Sequence, residues 1–240
     1  MKKFLGIFIL LIFIAAGVCA YIFPGTPYYY KCTHDFEITD SIWNDIPNDL
    51  PKLSDDYADF STLGIRITAW NDMEVRHTND EKNVIWANED NSHMVCVNQE
   101  RINENEDFLD MTGINHNDLA AYCKSAEKTT PESEYEFTKL TASLTIKDFD
   151  IHNYKNSKTF YKIMKKKNED FCNDSGTPLV FYPVDGVGYR GYLRTSKIAD
   201  DNEAIITIFP EKDKRTRYTI AFSLGNINEA LSIAESIKLV

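Results

Sequence analysis

The chain has 240 residues, 43% of them hydrophobic and 12% aromatic, with only 10 Gly and 8 Pro, which excludes disorder and low-complexity architectures and leaves room for a substantial core. Its formal charge is −11 and unevenly spread: residues 21–150 carry 10 Lys/Arg against 26 Asp/Glu, whereas residues 151–240 carry 14 against 11. An acidic front half of that kind excludes nucleic acid as a partner and steers basic proteins toward itself.

The N-terminus reads "MKK" and then Phe4 to Phe23, a run of 20 residues without a charged side chain. As a helix this run spans about 30 Å, the thickness of a bilayer core, so residues 1–23 are expected to be a signal-anchor, with residues 4–23 in the membrane. Lys2 and Lys3 place the N-terminus in the cytoplasm and the rest in the periplasm, an inner-membrane single-pass arrangement. The alternative is a cleaved signal peptide, cut near Ala20 after Val18-Cys19-Ala20. Lipidation at Cys19 is disfavoured because Val18, rather than a small residue, precedes it. Pro24, Gly25 and Pro27 are expected to end the helix and form a short stalk. Cys32, Cys96, Cys123 and Cys172 remain, an even set in an exported chain, and two disulfides are expected, their pairing left open.

Residues 24–62 read as an acidic, turn-rich lead-in, and residues 63–240 as the exported domain, in two consecutive lobes, 63–150 and 151–240. "LGIRITAW" alternates Ile65, Ile67 and Ala69 on one face, and "NVIWAN" and "HMVCVNQE" continue as short strands of an antiparallel meander. "GINHNDLAAYCKSAEK" offers an Asn cap followed by Leu119, Tyr122, Cys123 and Ala126 at helical spacing. Pro131 to Thr145 is mixed, strand-like at Tyr135 and Phe137 and helix-like at Leu140 and Leu144. "SKTFYKIMKKKNEDFC" is an amphipathic helix with Phe160, Ile163, Met164 and Lys167 on one stripe. Four strands come next with short links, "PLVFYPV", "VGYRGYLRT", "EAIITIFP" and "TRYTIAFS", and then a helix with Ile227, Leu231, Ala234 and Ile237 on one face and a cap at Asn226 with Glu229. The fold class is therefore α+β, antiparallel sheet packed against helices, preceded by one transmembrane or signal helix. The four strands and the terminal helix ending "SIAESIKL" resemble the back half of PsbP/Mog1-like proteins. That resemblance is one of pattern over about a quarter of the chain and implies no catalytic residues.

Chemistry-bearing motifs are sparse. No P-loop, G-x-S-x-G, H-E-x-x-H or G-x-G-x-x-G occurs, and no cofactor is implied. His93, Cys96, His116 and Cys123 match no strong zinc spacing, so no metal site is expected. Asp148, Asp150 and His152 in "KDFDIH" could supply a hydrolase with carboxylates and a base, but alternation with Phe149 and Ile151 is also what a half-exposed segment needs. Gly186, Gly188 and Gly191 sit in strand-like sequence and suit sheet curvature better than phosphate binding. The basic clusters at Lys165–Lys167 and Lys212–Arg217 read as solvated surface, and Asn173 lies in a glycosylation sequon. The general profile, a tethered acidic domain without cofactor motifs, resembles periplasmic immunity proteins, which neutralise toxins. That resemblance implies a non-enzymatic binder whose partner is a protein, a basic secreted toxin, met through Asp55, Asp56, Asp59, Glu104, Glu106, Asp107 and Asp110. An envelope assembly factor is the alternative.

Overall fold

Period-two alternation of apolar residues builds ten strands among the residues described in the computed structural model, which are 2–76, 82–103, 107–110, 112–173, 176–196, 203–223 and 225–240, the side chains of 2–10 excepted. The chain divides into two compact units that interleave in sequence. A helical unit takes Met1–Ser41 and Asp107–Asp170, and a sheet unit takes Ile42–Glu106 and Phe171–Val240. The fold is α+β with antiparallel sheets, as the pattern implies. The consecutive lobes 63–150 and 151–240 do not correspond to these units, because strands from both stretches hydrogen-bond in one sheet.

In the sheet unit the strands are β1 (Tyr57–Thr62), β2 (Ile65–Trp70), β3 (Glu74–Arg76), β4 (Asn83–Ala87), β5 (Met94–Arg101), β6 (Leu179–Pro183), β7 (Tyr189–Ser196), β8 (Glu203–Pro210), β9 (Thr216–Ser223) and β10 (Lys238–Leu239). Seven of them form one sheet in the order β3-β4-β5-β9-β8-β7-β6, so the C-terminal meander β6 to β9 is extended by β5, β4 and β3. Strand β2 leaves the meander expected of it and forms a second sheet, β1-β2-β10. Alternation places Val95, Val97, Leu193, Ile206, Ile208, Ile220 and Phe222 in one core with Ile65, Ile67 and Ala69 of β2. The last helix of the chain, Ile227–Glu235, adds Ala230, Leu231, Ile233 and Ala234 to that core. Each fully buried aliphatic side chain there contributes about 1.5–3 kcal/mol of transfer free energy. Gly191 is required in β7, since a Cβ there would stand 2.5 Å from the carbonyl oxygen of Thr207 on β8. At the β6 end Phe181 packs on Phe171 and Tyr192, and Trp43 stacks on Phe181 at 6.4 Å.

The helical unit holds α1 (Lys2–Ile22), α2 (Thr26–His34), α3 (His116–Ser125), α4 (Glu134–Ser143), a single 3-10 turn (Ile146–Asp148) and α5 (Tyr154–Asp170); the terminal helix of the sheet unit is α6. Helices α2, α3 and α4 pack on α5. The shared core is Cys32, Leu119, Tyr122, Cys123, Phe137, Leu144, Phe160, Ile163 and Met164. Asn115 caps α3 by accepting from the Asp118 N–H, as its sequence indicates. Lys167 completes the stripe of Phe160, Ile163 and Met164 and is fully buried. Its ammonium donates to the carbonyl oxygens of Asp40 (2.6 Å) and Leu144 (2.7 Å), and burial lowers its pKa to about 8.

Among residues whose side chains are described, no single helix is long and apolar enough to cross a membrane. Leu11–Ile22 of α1 passes on length and composition only together with α2, from which it is bent by 80°. Pro24 and Gly25 do follow the end of α1, with Pro27 already in the first turn of α2, and they form a docked elbow rather than a stalk. The Gly25 N–H donates to Ile151 O, and a Cβ on Gly25 would collide with Ser157 Oγ.

The expected disulfides are absent, and none of the five cysteines is disulfide-bonded. Cys96 lies on β5 and Cys172 is bridged to Pro178 just before β6, four strand positions away across the sheet. At about 4.8 Å per strand that separation is near 19 Å, far beyond the roughly 7 Å limit for a disulfide. Cys96 instead donates to Asn83 Oδ1 at 3.1 Å. Cys32 on α2 and Cys123 on α3 are core thiols on helices that each pack mainly against α5. Burial, with the Asp35 charge second, pushes the Cys32 thiol up to about 12, so it stays protonated and unreactive.

Candidate functional site: an acidic surface around Trp70

The sequence-predicted acids fall in both units. Asp55, Asp56 and Asp59 belong to the sheet unit, at and just before β1, which is an edge strand of the three-stranded sheet. Asp107 and Asp110 belong to the helical unit, and Glu104 and Glu106 lie outside the described residues.

The first group has a defined setting. Strands β1 and β2 run antiparallel with Tyr57 opposite Trp70 and Asp59 opposite Thr68. Asp59 Oδ1, on β1, accepts from the Thr68 hydroxyl of β2 at 2.7 Å, and Asn71 Nδ2 donates to Asp55 O at 2.8 Å, which holds the turn of Asp55 and Asp56 through its backbone. Asp55, Asp56 and Asp59 are all exposed. Beneath them lies a network that no local motif announces. Glu229 Oε1 accepts both from the Tyr57 hydroxyl and from Trp70 Nε1–H, the latter at 3.0 Å. Burial, and then the hydrogen bond to Glu229, push the Tyr57 phenol up to about 12, so it remains a donor at neutral pH. The other side of Trp70 stacks on His93, with rings 4.7 Å apart and 3° from parallel, and His93 Nδ1 lies 2.9 Å from Asp72 Oδ2. Desolvation raises the Asp72 pKa somewhat, but hydrogen bonds from His93 and Asn88 outweigh it and hold the carboxyl below its ordinary range. Asp72 and Glu229 are thus tied to one aromatic cluster of Tyr57, buried Trp70 and His93, and Asp55, Asp56 and Asp59 flank Tyr57 along the chain. Charge fixed on an ordered platform loses little entropy when a partner docks.

Asp107 and Asp110 have structural duties instead. Asp107 Oδ1 accepts from the Leu109 N–H and its other oxygen meets His116 Nε2 at 2.6 Å, while Asp110 Oδ2 accepts from the Asp107 N–H. The backbone hydrogen bond from Leu109 is the main reason the Asp107 carboxyl is held low. Asp148 caps the 3-10 turn through the Thr145 N–H and pairs with Lys128 at 2.8 Å. Asp150 accepts from the His152 N–H at 3.0 Å, and His152 Nδ1 lies 3.1 Å from Ile22 O. These three side chains therefore serve caps and turns, each bound to a different backbone segment. His93 and Cys96 are in the sheet unit and His116 and Cys123 in the helical unit. Among the described residues no group of three or more His, Cys, Asp or Glu could hold a metal.

The chain matches no family model and no curated protein. Among solved structures it is similar to cyanobacterial PsbP (CyanoP) from Synechocystis sp. PCC 6803. The identity is 10%, the match covers 81% of this chain and 99% of that one, and the TM-score is 0.34. This is a weak likeness to a PsbP fold, and nothing about site or partner comes from it.

Sequence reasoning placed Asp55, Asp56 and Asp59 on the candidate surface and missed Tyr57, Trp70, Asp72, His93 and Glu229. Tyr57 and Glu229 are 172 residues apart, so only the docking of α6 beside β2 brings them together. A local signal did exist in "YADF" and "RITAW", where facing aromatics on two adjoining strands invite a cross-strand pair.

Proposed function

We propose that this chain is a non-enzymatic, membrane-anchored binding protein of the cell envelope that captures a basic protein through the acidic surface around Trp70. Its nearest functional type is an immunity protein that occludes a basic toxin. The observation that carries the reading is the arrangement of exposed Asp55, Asp56 and Asp59 at and just before an edge strand that Tyr57, Trp70 and Glu229 tie to its neighbours by hydrogen bonds. Negative charge at the outer edge of β1, which pairs with no second strand among the described residues, meets a basic, extended partner segment by charge steering and by main-chain hydrogen bonds. The exposed apolar residues of α1 support the anchor, including Leu11, Ile12, Phe13, Ile14 and Val18.

The test is capture from detergent-solubilised envelope by the full chain, comparing wild type with the triple variant Asp55→Asn, Asp56→Asn, Asp59→Asn. Asn keeps the size of the side chain and one acceptor oxygen, replaces the other oxygen by an NH2 group, and removes the charge. The expected result is a basic protein retained by wild type at low salt and lost on the triple variant, with loss also at high salt. A basic partner retained equally by both forms refutes the assignment to this surface.

A further inference from the structure

Helix α2 is unusual for its position. It begins after a break of three residues from the end of α1, at an angle of 80°, and reads "TPYYYKCTH". One side is committed to the protein: Cys32 is buried, and Tyr28 contacts Tyr154 and Tyr161 of α5, its hydroxyl 3.2 Å from that of Tyr154. Tyr29, 41% exposed, stands on the flank with its ring edge-on to Phe149 at 5.4 Å, and the other side presents Tyr30, 59% exposed, with Tyr21 just before the elbow 88% exposed. Basic residues in its last turn are Lys31 and His34, and it carries no acidic residue, although the chain is strongly acidic. Lys155 and Lys158 are also exposed in the first turns of α5, where the elbow docks through Ile151 and Ser157.

We infer that α2 is an interfacial helix that lies in the headgroup layer of the bilayer crossed by α1, with Tyr29 and Tyr30 seated in that layer. The inference rests on the anchor reading above and extends it from a tether to a docking surface. If α1 stands across the bilayer, a bend of 80° lays α2 almost parallel to the membrane plane. The elbow is braced rather than free, since Gly25 N–H donates to Ile151 O, Thr26 Oγ1 donates to Phe23 O, and the Tyr28 and Tyr29 N–H groups donate to Gly25 O. Tyrosine suits that depth because its ring is apolar and its hydroxyl needs water or a headgroup. Lys31, Lys155 and Lys158 add attraction to anionic phosphates, whereas a helix with one side packed on α5 cannot continue as a span surrounded by lipid.

The experiment uses the full chain reconstituted in vesicles of mixed zwitterionic and anionic phospholipid. Tryptophan fluorescence is quenched by lipids brominated either near the headgroup end of the acyl chains or near their terminus, and the wild-type signal is subtracted. Three variants are read: Ala15→Trp as the reporter for α1, and Tyr30→Trp and Tyr29→Trp as independent reporters for α2. The expected result is strong quenching of the Ala15→Trp variant by some depth of bromine. For the α2 variants, shallow bromines should quench about twofold or more better than deep ones. Quenching of the Ala15→Trp variant without quenching of either α2 variant overturns the interfacial assignment and leaves the anchor standing. Stronger quenching of the α2 variants by deep bromines also overturns it, since α2 would then continue the span. Absence of quenching at Ala15→Trp overturns the anchor and the inference together.

Discussion

Lys167 should make the helical unit gain stability as the solution turns alkaline. Its ammonium is fully buried between the carbonyls of Asp40 and Leu144, and burial lowers its pKa from 10.5 to about 8, partly offset by attraction to Asp40 and Asp148. Below about pH 8 both folded and unfolded chains hold the proton, and the folded chain bears the full cost of a buried charge. Between about pH 8 and pH 10.5 the folded chain has released the proton while the unfolded chain keeps it, so stability rises with pH. At about 1.4 kcal/mol for each tenfold change, the gain between about pH 7 and pH 10 is about 2–3 kcal/mol. A neutral amine still has two N–H groups for the two carbonyls, so the contact survives deprotonation.

Raised groups such as Cys32 work in the opposite direction at high pH, so the measurement has to be a difference. Urea unfolding of the full chain in mild detergent, followed by far-ultraviolet circular dichroism, would be run for wild type and for Lys167→Met at several pH values. Wild type should gain about 2–3 kcal/mol on the variant across that window, whatever their offset at neutral pH. A difference that is flat with pH, or that favours the variant as pH rises, refutes the reasoning about the buried ammonium.

Packing and thiol chemistry set three further outcomes. Gly191→Ala should cost about 1–3 kcal/mol, because its Cβ would press on the β8 backbone; the urea midpoint read by tryptophan fluorescence should fall, Trp43, Trp70 and Trp86 all being in the sheet unit. Thr141→Val should raise stability by about 1 kcal/mol, since the Thr141 hydroxyl is buried without a hydrogen-bond partner among the described residues and valine has the same shape; an unchanged or lower midpoint by circular dichroism would count against this. Alkylation of the unfolded chain without reductant should label all five cysteines, and a mass matching one or two disulfides would contradict the absence of disulfide bonds.

The legible part of the sequence was the local part. The meander β6 to β9 was legible because its links are short and its alternation strict, and the caps at Asn115 and Asn226 because their partners lie three residues on. Helix α4 was not, although "SEYE" held the signal: Ser133 accepts from the Glu136 N–H, and Tyr135 and Phe137 are both buried on a helix that is mostly inside. Strand β2 was recognised but not its partners, since pairing with β10 joins residues 65–66 to 238–239. The thiol pairing failed for the same reason: an even count says nothing about the strand order that separates Cys96 from Cys172.

The acidic surface shows why charge counting overstates a binding face. Asp107 is held low chiefly by the Leu109 N–H, Asp90 chiefly by the Ser92 N–H, and Asp213 chiefly by the Thr216 hydroxyl. Such carboxylates favour the folded state above their unfolded pKa, and that contribution is lost as pH falls through their lowered folded values. Their negative charge is therefore already employed in closing turns, and removing it perturbs the turn before it perturbs any partner. Among the described residues the Asp59 carboxylate accepts only from the Thr68 hydroxyl, and exposed Asp55 is tied through its backbone carbonyl. Asp59 and Asp55 are thus the positions where charge can be removed while the fold stays intact. Variants at Asp107 and Asp110 should instead report first on the turn leading into α3, so a binding defect at Asp55 and Asp59 without loss of stability is the signature that separates partner recognition from folding.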